Sequence, residues 1–299
     1  MSGGWISADA FQAIEGEGTT AFRIRSGGPV VVERFGGAAL VSIEAGGNDA
    51  QIAAEVLSFA RDIGWDCSRV FARQMVCSPG LDDRPRLVAG EGAHTVELAR
   101  EGGLMYEVDF AAGYSVGLFC DQRANRAYLR GRKVARLLNT FAHTCAFSVA
   151  AASGGAATTS VDVSKACLER GRRNFELNGL AMAGHRFVAE DVGVYIGRLA
   201  RRGERFDAII LDPPTFGRGG GRRTFRIERD FAGLVRAAGE VSEDGGVILL
   251  STNFRAWGTA RLEGIGRANL PAGTVFECGP LQRDFLAGEG ASSVWALLP

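Results

Sequence analysis

Acidic side chains stand at three places where chemistry is easiest to locate: Asp162, the pair Glu190 and Asp191, and Asp212. Each closes a short strand-like run, in TTSVD, RFVAED and AIILD. A carboxylate only accepts hydrogen bonds, so it suits hydroxyl and amine donors. At the end of a second strand it can take both ribose hydroxyls of an adenosyl group, and at the end of a third it can take the adenine amine. Each carboxylate alone could be a helix N-cap; together with the polar stretch after the first strand, four strand ends in succession point to a nucleoside. The last continues as Asp212-Pro213-Pro214-Thr215-Phe216. The prolines donate nothing to a sheet ladder and keep the chain extended as it leaves. Ahead of these stands NTFAHTCAFS, 139–148, which lacks glycine. A dinucleotide turn needs G-x-G-x-x-G so that backbone N–H groups can approach a pyrophosphate. A ligand without a pyrophosphate, such as S-adenosylmethionine, is expected instead.

These residues need a sheet whose strand ends gather on one edge. From residue 134 onward, strand and helix patterns alternate. Strands are expected at 134–141, 158–163, 185–188, 206–211 and 246–251, and helices at 146–153, 165–178, 192–202, 229–241 and 256–268. Such alternation gives a mostly parallel, doubly wound α/β sheet, with ligands beyond the carboxyl ends of its strands. Two closing strands, 273–278 and 292–298, have no strong helix between them and are expected to form an antiparallel hairpin. Residues 1–115 instead carry short runs split by glycine and acidic turns, the mark of a small α+β domain. This front domain is a scaffold or a substrate-docking module, and 116–299 is the catalytic domain.

Composition narrows little. The 299 residues carry 34 Lys plus Arg and 34 Asp plus Glu, so net charge does not advertise a nucleic-acid partner. The cysteines form no C-x-x-C pair, and the only histidines are His94, His143 and His185. Neither a zinc site nor a disulfide framework is expected. No apolar run approaches the roughly 20 residues that span a bilayer, and MSGGWISADA does not read as a secretory signal. A cytoplasmic location is expected.

The motif string DQRANR (121–126), LLNTFAHTCAFSVAAASGGA (137–156), SVDVSKACLERGRRNFELNGL (160–180), HRFVAEDV (185–192) and FDAIILDPPTFGRG (206–219) resembles one family. This is the class I S-adenosylmethionine-dependent methyltransferases of bacterial large-subunit ribosomal RNA, which make 5-methylcytosine or 7-methylguanine. The likeness is close from about residue 115 onward and looser in the front part. It implies a Rossmann-like methyltransferase fold with RNA as substrate. Asp162 and Val163 would hold the ribose side of the cofactor. Glu190 and Asp191 would hold the adenine. Asn139, Phe141, Thr144, Cys145 and Phe147 would surround the methionine end, with Asp121 and Arg123 lining the pocket from outside. Asp212 and the Pro213-Pro214 turn would face the target base. The family usually has glycine where this chain has Cys145, so crowding of the cofactor is an expectation to test. The RNA-binding modules that the family fuses to this fold are not seen in the sequence. Delivery of RNA is then expected to rest on the front domain, a partner or an arginine-rich loop.

The branch follows from a missing thiol. C5 of cytosine becomes nucleophilic only after a cysteine adds to C6, and such cysteines follow the fourth or fifth strand. Here those places read DPPTFGRG and LLSTNFRAW. Guanine N7 needs no thiol, and TFRIERDFAGLV (224–235) with STNF (251–254) resembles that branch. N-methylation of an RNA guanine is therefore expected. The alternatives are a 5-methylcytosine or small-molecule methyltransferase, or a degenerate RNA-binding protein. Thr215 and Phe216 suit base docking, with Phe216 either stacking on the ring or filling the core. Asn253 suits the base edge or a helix cap. The glycine- and arginine-rich stretch 217–229 offers Arg218, Arg222 and Arg223 as a phosphate clamp, or is a solvated loop.

Overall fold

The computed structural model describes residues 4–44, 47–75, 84–217, 225–286 and 288–299. The chain forms two compact units. One comprises Met1–Arg123 with Gln282–Glu289, the other Ala124–Leu281 with Gly290–Pro299. The sequence pattern puts the break near residue 115. It falls after Arg123 because the 3-10 turn Cys120–Gln122 is buried with the first unit and Arg123 is paired there with Asp284.

The first unit runs β1 (Gly4–Trp5), α1 (Ala8–Gly16), β2 (Ala21–Ser26), β3 (Val30–Phe35), β4 (Ala38–Ile43), α2 (Asp49–Ile63), β5 (Arg69–Gln74), β6 (Arg86–Ala89), β7 (Val96–Glu101) and β8 (Leu104–Asp109). β1 to β6 pair in chain order, and β7 and β8 form a separate hairpin. Only β4 and β5 are parallel within that sheet, because α2 is the crossover that parallel pairing requires. Asn48 caps α2 by accepting from the Ala50 and Gln51 amides, and Gly64 ends it in the left-handed conformation at φ 73°. Phe11, Phe22, Ile24, Val32, Val41 and Val56 form its core.

The second unit runs α3 (Arg123–Gly131), β9 (Arg136–Thr140), α4 (Ala146–Ser153), β10 (Ala157–Asp162), α5 (Lys165–Leu177), β11 (Arg186–Ala189), α6 (Val192–Arg201) and β12 (Phe206–Leu211). A ribbon of β13 (Phe216–Gly217) and β14 (Phe225–Arg226) follows. Then come α7 (Ile227–Glu240), β15 (Ser242–Thr252), α8 (Thr259–Asn269), β16 (Val275–Cys278) and β17 (Ser292–Leu297). The sheet order is β11-β10-β9-β12-β15-β17-β16. β17 runs antiparallel to both β15 and β16, so the expected C-terminal hairpin closes the doubly wound sheet. Alternation along the strands assigns the two faces. Leu138, Ile209, Leu211, Ile248 and Leu250 pack with α6, α7 and α8, while Leu137, Ala208, Ile210 and Leu249 pack with Phe147, Leu129 and Trp295. Among the described residues, no helix is long and apolar enough to cross a membrane.

The sequence pattern misses β1, α1, β6, α3 and the ribbon of β13 and β14. α1 and α3 are nine residues each, and α3 is dense in arginine, which hides its apolar stripe.

Candidate active site

The order of the second sheet reverses between β9 and β12: the chain winds out through β10 to β11, then returns to the far side of β9. Thr140 lies beside both Val161 and Leu211 in register, and Asp162 beside Ala189. The carboxyl ends of β9, β10, β11 and β12 therefore open on one edge at the switch point, where ligands bind open α/β sheets.

The loop after β9 is under backbone strain. Phe141, His143 and Cys145 all adopt left-handed φ, at 51°, 47° and 60°. This costs an L-residue about 1–2 kcal/mol each. The surrounding bonds hold the loop. The Ala142 amide donates to the Val161 carbonyl at 3.0 Å, and the Cys145 amide donates to the Ala142 carbonyl at 2.7 Å. The His143 amide donates to Asp162 Oδ2 at 2.9 Å, while Asp162 Oδ1 accepts from the Ser164 amide at 2.8 Å. Asp162 thus ties the loop after β9 to the turn into α5. A carboxylate has about four lone-pair sites, so these two bonds leave acceptor capacity for a ligand. Val163, next to it, keeps 45% of its surface exposed.

Beneath the loop runs a buried polar relay. Asn139 Nδ2 donates to Ser148 Oγ at 2.9 Å, and Ser148 and Ser160 share a hydrogen bond at 2.7 Å. Asn139 is buried, and this amide supports the floor of the site. The sequence reading does not single out Ser148 or Ser160. Ser148 has a signal, a lone serine in the buried apolar run 146–152 of α4, whereas Ser160 follows two threonines in β10 and has none.

The other predicted residues are placed as follows. Asp191 caps α6, with Oδ1 accepting from the Val194 amide at 3.1 Å. Glu190 forms an ion pair with Arg198 of α6. Thr144 is buried, and its carbonyl accepts from Asn174 Nδ2 at 2.9 Å. Phe147 packs into the core below the loop. Asp212 and Thr215 are half-buried, Pro213 is buried and Pro214 exposed. Thr215 Oγ1 donates to Asn253 Oδ1 at 2.8 Å, bringing together the two residues expected at the base. Phe216 pairs through its backbone with Arg226; its ring, and Arg218, Arg222 and Arg223, lie outside the described residues. Phe225 on the returning strand packs on Phe141 with ring centroids 5.6 Å apart. Asp121 and Arg123 belong to the first unit, where the Asp121 carbonyl accepts from Gln282 Nε2 and the Arg123 guanidinium grips Asp284.

Cys145 does not stand in open space. It is fully buried, and its Sγ lies 3.8 Å from the His143 carbonyl oxygen. Burial pushes its thiol up to about 12, so it stays protonated at neutral pH.

Residues 64–279 match the family described as S-adenosylmethionine-dependent methyltransferase. The chain is 34% identical over 260 residues to YwbD of Bacillus subtilis (strain 168), provisionally named a ribosomal RNA large subunit methyltransferase. That match covers 84% of this chain and 65% of the relative. It is also 34% identical over 213 residues to ribosomal RNA large subunit methyltransferase I of Klebsiella pneumoniae (strain 342), covering 68% of this chain and 52% of that protein. The chain thus spans about half to two thirds of these relatives. Among solved structures, a methyltransferase designated SMU.776, complexed with SAH (S-adenosylhomocysteine), superposes with a TM-score of 0.78. It is 27% identical, and the match covers 97% of this chain and 80% of that one.

Proposed function

The chain belongs to the S-adenosylmethionine-dependent methyltransferase family, and from that membership we propose that it methylates N7 of a guanine in large-subunit ribosomal RNA. The named relatives support ribosomal RNA as the substrate class.

The residues at the switch point fit the cofactor by their chemistry. Asp162 supplies oriented acceptors for ribose hydroxyls. Exposed Val163 supplies apolar surface for a ring, and the strained 141–145 loop presents backbone to the amino-acid end. When bound, S-adenosylmethionine supplies a methyl group on a sulfonium centre, which a ring-nitrogen lone pair can displace without prior activation. The chain's own task is then to hold the base in line and keep water out.

The observation that carries the guanine reading is the placement of the thiols. The segments at the ends of β12 and β15, DPPTFGRG and STNFRAW, contain no cysteine. Cys145, at the rim of the site, is buried and protonated, so it cannot add to a pyrimidine. A guanine edge also suits the Thr215–Asn253 pair. That bond uses the amide oxygen of Asn253 and leaves its NH2 to donate. Guanine presents N7 and O6 there, both acceptors, whereas adenine presents an acceptor and a donor. The NH2 can hold O6 while N7 faces the methyl group.

The test is methyl transfer from labelled S-adenosylmethionine to unmodified large-subunit RNA, read by nucleoside mass spectrometry. The expected product is 7-methylguanosine, lost in Asp162→Ala. A product that is solely 5-methylcytidine overturns the assignment.

A further inference from the structure

The 141–145 loop carries left-handed residues of which none is glycine, so something outside it must fix its shape. Asp162 holds it from the sheet side. The other side is held by α5, in two ways. First, α5 has no side chain where it meets Cys145. A Cβ built on Gly171 would stand 2.4 Å from Cys145 Sγ and 2.9 Å from Cys145 Cβ. Rotation of the sulfur relieves only the first contact: the Cβ moves only with the backbone, and the residue is fully buried. Second, Asn174 Nδ2 donates to the Thr144 carbonyl at 2.9 Å. Residues three apart share a helix face, so both contacts come from one face of α5. The Cys145 carbonyl accepts from the Val149 amide at 2.9 Å, so a push at Cys145 also reaches the first turn of α4.

We propose that Gly171 and Asn174 are positioning residues for methyl transfer: they cradle Cys145 and Thr144 and so hold the cofactor loop in its binding shape. Cys145 then points into α5 and not toward the cofactor, and the bare Gly171 is its complement. The inference rests on the reading that the 141–145 loop receives the cofactor.

The test is a cycle of variants of the full chain, read by calorimetric binding of S-adenosylhomocysteine and by steady-state kinetics. Gly171→Ala is expected to weaken S-adenosylhomocysteine binding by about tenfold or more, because a pre-organised loop is lost. The KM for S-adenosylmethionine should rise, with kcat and the KM for RNA little changed. Cys145→Gly alters the cofactor loop itself and serves as the reference of the cycle; adding Gly171→Ala to it should cost no more than about threefold further, because residues in contact do not act additively. Asn174→Ala should also weaken binding, but Cys145→Gly should not rescue it. If Gly171→Ala alone fails to fold, a folded and binding-competent double variant supports the proposal equally. Wild-type affinity in Gly171→Ala, or a further loss of about tenfold when Gly171→Ala is added to Cys145→Gly, overturns it. Asp162→Ala separates the two readings. If it binds S-adenosylhomocysteine as wild type does, the placement of the cofactor site is wrong. If it loses binding while Gly171→Ala keeps it, only the cradle is wrong.

Discussion

On the proposed guanine reading, Asn253 is the residue on which base choice turns. Thr215 donates to its amide oxygen, which leaves the NH2 to donate elsewhere. Asn253→Asp replaces that donor with a carboxylate, which repels guanine O6. A base-edge contact is worth about 1–3 kcal/mol, so kcat/KM for RNA should fall by about 10- to 100-fold. S-adenosylhomocysteine affinity should be unchanged, and an unaltered kcat/KM would exclude Asn253 from the base site. Sequence reasoning could find Asn253 and Thr215 because both stand just past apolar runs. It could not show that they meet, since 38 positions separate them. Cys145 shows why type and place are not enough. From them it reads as an obstruction beside the cofactor, while the proposed cradle turns it into α5, because where a side chain points depends on what packs opposite. That partner, Gly171, looks in the sequence like an ordinary weakness in a helix.

At the level of elements, the same carboxylate can serve the fold and the ligand. Asp191 begins α6 by accepting from the Val194 amide. Removing such a cap costs about 1 kcal/mol, so Asp191→Ala should lower the melting temperature by about 2–4 °C. Asp191→Ser keeps a capping oxygen and should melt like wild type. If Asp191 also receives the adenine amine, both variants lose S-adenosylhomocysteine affinity, and this is the expected result. Retained affinity in Asp191→Ser would leave Asp191 as a cap alone. The central strands were legible because strands buried on both faces read as continuous apolar runs, as in Ala208 to Leu211. The left-handed loop after β9 was not legible: glycine is the usual sign of such a backbone, and here Phe141, His143 and Cys145 adopt it under tertiary constraint.

For the whole molecule, the division of the chain is the least legible feature. The chain passes from the first unit to the second after Arg123, returns after Leu281 and leaves again after Glu289. In the sequence, the stretch between β16 and β17 carries charges, glycines and a proline without helical or strand periodicity, and it reads as a loop. Within the first unit it is an anchored segment. Asp284, whose side chain is fully buried, accepts from Arg123 Nη2 at 2.6 Å and Nη1 at 3.0 Å, and from the Arg23 amide at 2.9 Å. Glu289 accepts from the Gly27 amide at 2.9 Å, and Phe285 lies 4.1 Å under the Arg23 guanidinium. Removing one member of a buried ion pair leaves the other charge without compensation, at a cost of roughly 3–5 kcal/mol. Asp284→Ala should therefore destabilise the first unit by about that much. Amide exchange should quicken in β2, at Arg23 and its neighbours, while β9 and β12 keep their protection. Arg123→Met/Asp284→Leu removes both charges together and should recover most of the loss, as apolar replacement of buried pairs does. Even loss of protection across both units in Asp284→Ala would show that the segment supports the chain as one cooperative body, and unchanged exchange in β2 would show that it anchors nothing.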